Sequence, residues 1–201
     1  MKLYVSPGAC SLAPHIALTI AGLPFTVERV SLKSKSMAGG GDFRTINDKG
    51  SVPALQLDDG KLLTEAAVLL QYIADQAPAS GLAPSHGSFE RYQVMEWLNY
   101  IATELHKRFS PIFTPGVTPE GREAAWTALA RPIGYLAGKL EGQRFLMGEQ
   151  FNIADLYLFT VLNWVGFAGF TLDAWPVLQA YHARVAAIPA VKDALRAEGL
   201  A

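Results

Sequence analysis

The spacing of apolar residues changes its period once along the chain, and that change narrows the folds open to it. As far as Gln76, short apolar runs alternate with turn residues and helix-length stretches, whereas beyond Gly87 only helical spacing is found. Lys2–Val5 reads as a short strand, Pro7-Gly8 as a turn, and Leu12–Ala21 as a helix with Ser11 at its N-cap and Gly22 just past its end. Pro14 falls in the first helical turn, where a missing N–H costs little. Phe25–Leu32 alternates as a second strand. Lys33–Gly50 is polar and glycine-rich around Gly39-Gly40-Gly41, with room for at most one irregular helix. Val52–Leu57 and Lys61–Leu63 pair as a hairpin about Asp58-Asp59-Gly60, and Thr64 caps a helix running to Gln76.

The resulting order, β-α-β-α-β-β-α, is a βαβ unit followed by an antiparallel hairpin, the thioredoxin-like layout. Prolines and glycines crowd the stretch from Ala77 to Gly87, which reads as a linker. The helices expected after it are Ser88–Phe109, Pro119–Leu140, Ile153–Gly166, Pro176–Ala187 and Pro189–Glu198. The fold class is therefore α+β: an N-terminal thioredoxin-like domain at 1–80, a linker at 81–87 and an all-α domain at 88–201.

Hydrophobic residues are 50% of the chain and charged residues 17%, enough apolar material for a packed core and too much for disorder. A net charge of -1 without a basic run argues against nucleic-acid binding. The uncharged stretch Leu156–Leu172 falls short of the ~20 residues of a bilayer span and reads as a buried helix. The N-terminus has too few apolar residues for a secretory signal. The single cysteine rules out an internal disulfide, fits a reducing cytoplasm, and obliges any redox cycle to borrow a second thiol.

That cysteine, Cys10, is the first candidate for chemistry. It stands just before a helix N-terminus, where free N–H groups and the helix dipole stabilise an anion, so a lowered pKa is expected. In Ser51-Val52-Pro53 the proline opens a strand. An arbitrary X–Pro bond is trans, but the thioredoxin-like layout calls for a cis Val52–Pro53 bond opposite the thiol, with the Val52 N–H and C=O turned outward to clamp a peptide. Thr64-Glu65-Ala66 opens the next helix; its N–H groups can hold a carboxylate while Glu65 meets an amine, although Glu65 could equally serve the helix dipole alone. Asn99, Thr103 and His106 share a helix face by spacing, with Glu104 beside it. Asn152-Ile153-Ala154-Asp155 reads as a capping box with a structural role, worth about 0.5–2 kcal/mol.

Taken together, these residues resemble the glutathione transferases, most closely the bacterial beta class. The likeness rests on Ser6-Pro7-Gly8-Ala9-Cys10-Ser11 with Pro14-His15, Gly50-Ser51-Val52-Pro53-Ala54-Leu55, Leu63-Thr64-Glu65-Ala66, Glu96-Trp97-Leu98-Asn99, Glu104-Leu105-His106-Lys107 and Phe151-Asn152-Ile153-Ala154-Asp155. It implies glutathione as co-substrate, a hydrophobic electrophile as second substrate, no metal, and a homodimer in the cytoplasm. Cys10 would lie against the glutathione sulfur, with Ser11 as a competing hydrogen-bond donor and His106 nearby. Val52, with Ser51 and Pro53 around it, would pair with the cysteinyl unit, Glu65 and the Ala66 N–H would hold the γ-glutamyl end, and Lys35 would reach the glycyl carboxylate. Asn99, Thr103 and Glu104 complete the glutathione-binding set, Asn99 and Glu104 by reaching the partner subunit's site. Phe109, Phe113 and Trp164 would contribute to an apolar wall. Where this family often has serine at position 66 and glutamine at position 51, the chain has Ala66 and Ser51, which implies weaker glutathione binding. Two other readings stay open: thiol-disulfide exchange or peroxide reduction through Cys10, and a non-catalytic binding module.

Overall fold

The computed structural model describes residues 1–201 and divides by contacts into two units, Met1–Ala83 with Ile188–Ala201, and Pro84–Ala187. The sequence reading assigns 88–201 to the second, whereas Ile188–Ala201 groups with the first.

In the first unit, β1 (Lys2–Val5), β2 (Thr26–Arg29), β3 (Ala54–Gln56) and β4 (Leu62–Thr64) form one sheet in the order β2-β1-β3-β4. β1 runs parallel to β2, with Leu3 opposite Val27, and antiparallel to β3, with Leu3 opposite Leu55. β4 closes the hairpin against β3. Because side chains alternate across a strand, Leu3, Val5 and Leu55 share one face and Tyr4 and Ala54 the other. Helices α1 (Leu12–Ala21) and α2 (Ala66–Gln76) pack on each other and bury Leu12, Ile16, Leu69, Leu70 and Ile73 completely. Tyr4, Val30, Phe43, Val52 and Ala54 form a second apolar cluster, with the Tyr4 and Phe43 rings 5.3 Å apart.

Three local details depart from the sequence reading. The second helix of the expected order is a single 3₁₀ turn, Phe43–Thr45, anchored by the buried Phe43 and by Asp42, whose carboxylate accepts from Arg44 N–H. Ser11 occupies the N-cap of α1 with helical dihedrals and makes no capping bond. The cap of α2 falls at Glu65 rather than Thr64. The last helix, here numbered α8 (Pro189–Glu198), packs against α1 through the buried Val191 and Ala194.

In the second unit, α3 (Phe89–Tyr100) starts at Ser88, whose hydroxyl accepts from Arg91 N–H. It passes through a π-helical turn, Ile101–His106, into α4 (Lys107–Phe113), where a single helix to Phe109 had been expected. α5 (Pro119–Leu140) is capped by Thr118 and opens on a proline. α6 (Ile153–Phe167) is buried from Ile153 through Leu162, which accounts for the uncharged run in the sequence. α7 (Pro176–Ala186) packs beside it.

The capping box at the start of α6 holds more than the helix. Asp155 accepts from the N–H groups of Asn152 and Leu146, each at 2.9 Å, and from the Tyr181 hydroxyl at 2.9 Å. It therefore ties α6 to the preceding loop and to α7. Replacing it strands several buried donors, so Asp155→Ala is expected to cost about 2–4 kcal/mol in denaturant unfolding, more than a simple cap. Burial raises the Asp155 carboxyl to about 6, against the pull of its donors. An unfolded aspartate releases its proton near pH 4, so the folded protein binds more protons between about pH 4 and 6. This group therefore weakens stability as pH rises through that window, and Asp155→Asn removes that part of the slope.

Candidate active site

The turn between β1 and α1 is built by its own backbone. Ala9 N–H donates to the Ser6 carbonyl, and Gly8 takes a φ of 73°, a conformation that glycine adopts without strain. Ser11 stitches the turn from beneath. Its hydroxyl donates to the Ser6 carbonyl at 3.2 Å and accepts from Ser6 N–H at 3.1 Å, and the residue is fully buried. The sequence reading makes Ser11 a competing donor to a bound thiolate; here its proton goes to the Ser6 carbonyl.

Cys10 is also buried, 8% exposed, and its S–H donates to the Val52 carbonyl at 3.2 Å. The Val52–Pro53 bond is cis, as the thioredoxin-like layout required. The Val52 carbonyl faces Cys10 rather than turning outward. Burial pushes the Cys10 thiol up to about 12, the Glu65 charge pushes in the same direction, and the N–H groups of Cys10 and Ser11 only partly oppose them. The expected lowering by the helix N-terminus is thus overturned. A dipole acting on a desolvated thiolate does not offset the loss of water around it.

The turn is held from behind by the C-terminal helix. Glu198 on α8 accepts from Gly8 N–H at 2.9 Å with one carboxylate oxygen, and its other oxygen lies 2.8 Å from His15 Nδ1 on α1. Both side chains are almost fully buried. Arg29 adds a bond to the Ala197 carbonyl at 2.7 Å.

Across the sheet, the loop leading to Val52 is clamped by the buried Asn47, whose amide donates to the Ser51 carbonyl at 2.7 Å. Ser51 is exposed, and its hydroxyl donates to the Lys49 carbonyl. Lys35, itself at a φ of 60°, donates from Nζ to the Gly50 carbonyl at 2.9 Å, so an ammonium stands beside the same loop. Glu65 has a φ of 73°, which a non-glycine residue holds only at a cost of about 1–3 kcal/mol. Its side chain is exposed and ion-paired with Lys49 at 2.8 Å. Ala66 follows as the first residue of α2, where backbone N–H groups lack helical acceptors.

In the helical unit, Asn99 and Thr103 are exposed, and the Thr103 hydroxyl donates to the Asn99 carbonyl. The π turn changes the angular step along the helix, and His106 turns to α6: its Nδ1 lies 2.7 Å from the Tyr157 hydroxyl and its ring sits edge-on to Trp164 at 4.7 Å. The straight-helix stripe expected from the spacing is therefore not one face. Glu104 pairs with Arg108 one turn on. Phe109, Phe113 and Trp164 pack together as one aromatic cluster, with Phe113 its exposed member. No group of three or more His, Cys, Asp or Glu side chains is arranged to hold a metal, and no helix is long and apolar enough to cross a membrane.

Residues 8–76 match the family model described as glutathione S-transferase, N-terminal domain, and residues 100–189 match that for the C-terminal domain. The chain is 45% identical over 200 residues to the glutathione S-transferase GstA of Escherichia coli O157:H7, with 100% of both chains covered. It belongs to the glutathione S-transferase family. The beta-class glutathione S-transferase of Sphingomonas chungbukensis matches its fold with a TM-score of 0.96 at 46% identity, covering 100% of both chains. A sphingomonad glutathione S-transferase complexed with glutathione matches with a TM-score of 0.95 at 46% identity over 100% of both chains. The beta-class likeness read from Cys10 and His106 agrees with these neighbours.

Several contacts around these candidate residues have no signature in the sequence. Glu198 sits at the far end of the chain from Gly8, and no local pattern links them. His15 stands in the Pro14-His15 motif, but nothing near it in sequence points to its partner Glu198. Asn47 and Lys49 lie in a polar loop whose composition resembles any surface connection, and Tyr157 is one aromatic residue among many in an apolar helix.

Proposed function

We propose that this protein is a glutathione transferase that joins the glutathione thiolate to hydrophobic electrophiles. The observation that carries the reading is the state of Cys10. It is a buried thiol whose proton points at the Val52 carbonyl, so it suits a neighbour of the glutathione sulfur better than a nucleophile. Family membership and a glutathione-bound relative of the same fold support glutathione as the co-substrate. In this reading the domain at 1–80 binds glutathione. Val52 takes the cysteinyl unit between Ser51 and Pro53, Lys35 the glycyl carboxylate, and Glu65 with the Ala66 N–H the γ-glutamyl end. His106 lies near the sulfur, and Asn99, Thr103 and Glu104 complete the site, with Asn99 and Glu104 serving that of a second copy in a homodimer. The aromatic cluster of 88–201 receives the electrophile. The protein works as a soluble cytoplasmic enzyme.

With a chloro-dinitrobenzene as electrophile, the sulfur–carbon bond forms as chloride leaves, and no redox partner is needed. Paired assays test this. Conjugation of that substrate is expected to be readily measurable, while reduction of a glutathione mixed disulfide, which needs Cys10 as a thiolate, is expected to be slow. The reverse order of activities would favour the oxidoreductase reading, and silence in both would favour the binding module. Sedimentation at micromolar concentration is expected to show a dimer.

A further inference from the structure

Lys49 Nζ lies 2.8 Å from a Glu65 carboxylate oxygen and 3.0 Å from the Thr64 hydroxyl oxygen. An ammonium has three N–H donors, so one remains without a protein acceptor. Both charged side chains are more than half exposed, at 53% and 66%, so the pair is open to a ligand and contributes little to stability. Lys49 also rides on the loop that carries Val52. Its own N–H donates to the Asn47 side chain at 3.3 Å, and its carbonyl accepts from Ser51. Its backbone position is thus fixed with respect to Val52, while its head group stands at the opening of α2.

We infer that Lys49 is the cationic receptor for the α-carboxylate of the γ-glutamyl unit. This rests on the glutathione reading above. An α-amino-acid head group carries one positive and one negative charge on adjacent substituents. Glu65 and Lys49 present the opposite pair, with a salt-bridge distance between them. When the ligand's ammonium takes Glu65, Lys49 is released from that carboxylate and pairs with the ligand's own, so one ion pair becomes two. Ala66 and Ser51 bring no side chain able to hold the carboxylate from their positions, and the lysine head group supplies the charge that they lack. The same exchange selects for an intact γ-glutamyl end: a ligand with the amine but no α-carboxylate leaves Lys49 with nothing in exchange for Glu65.

Isothermal calorimetry on wild type and Lys49→Ala tests this, with glutathione and with γ-aminobutyryl-cysteinyl-glycine, which keeps the amine and the chain length but lacks the α-carboxylate. Circular dichroism and the thermal midpoint check that the variant is folded. Glutathione affinity is expected to fall about three- to tenfold in Lys49→Ala, the range for one exposed charge-assisted contact, while affinity for the analogue stays the same or rises. Lys49→Arg should retain most of the affinity. Equal losses for both ligands would overturn the proposal, as would unchanged glutathione binding. A tighter fit of glutathione to Lys49→Ala would also overturn it, by showing the lysine to be only a competitor for Glu65. Failure of the wild type to bind glutathione at all would instead count against the glutathione reading itself.

Discussion

Glu198→Ala is expected to lower the unfolding free energy by about 3–5 kcal/mol in a denaturant titration. The side chain is buried 190 residues away in sequence from the Gly8 N–H that it accepts, and its second oxygen meets His15. Truncation removes the buried carboxylate that the Gly8 N–H and the His15 ring both meet, and opens a hole between α1 and α8. Against a typical total of about 5–15 kcal/mol, that is a large share. Glu198→Gln keeps an acceptor for one partner and should lose only about 1–2 kcal/mol. Because the pair backs the turn that carries Cys10, the Ala variant should also lose activity at temperatures where it is still mostly folded. A cost below about 1 kcal/mol would show that the carboxylate merely fills space.

Cys10 in the ligand-free protein is expected to react with iodoacetamide about a hundredfold more slowly than a free thiol at pH 7. A thiol raised to about 12 is ionised at roughly one part in 10⁵ at that pH, against about 3% for an ordinary cysteine. The deficit is some three thousandfold, and the greater nucleophilicity of a more basic thiolate, with a slope of about 0.4–0.5, restores about thirtyfold. Burial of the sulfur adds to the delay. The rate should rise about tenfold per pH unit from pH 7 to 10 without levelling. A plateau near pH 6–7 would instead be the mark of a thiolate stabilised by the helix N-terminus.

This contrast also shows how far the sequence could be read. The helix N-terminus at Cys10 was visible in Pro7-Gly8 and the apolar spacing after Leu12, because local periodicity and turn residues report local structure. Whether dipole or burial governs the thiol depends on what covers it, and the covering Val52 comes from a loop 42 residues on. Helices α5 and α8 begin and end where proline and the apolar pattern placed them, yet the same pattern could not say that α8 returns to α1. The decisive pair, His15 and Glu198, is a long-range contact between residues that look unremarkable alone. Likewise the stripe of Asn99, Thr103 and His106 assumed a straight helix, and the π turn at Ile101–His106 has no signature in residue spacing.

In the proposed reaction glutathione brings its own nucleophile and Cys10 only receives it. The rate of conjugation of a chloro-dinitrobenzene by Cys10→Ala at saturating glutathione measures this most directly. Conjugation is expected to remain within about tenfold of wild type, since holding thiolate and electrophile together supplies most of the acceleration. A thousandfold loss would return Cys10 to the centre of the chemistry.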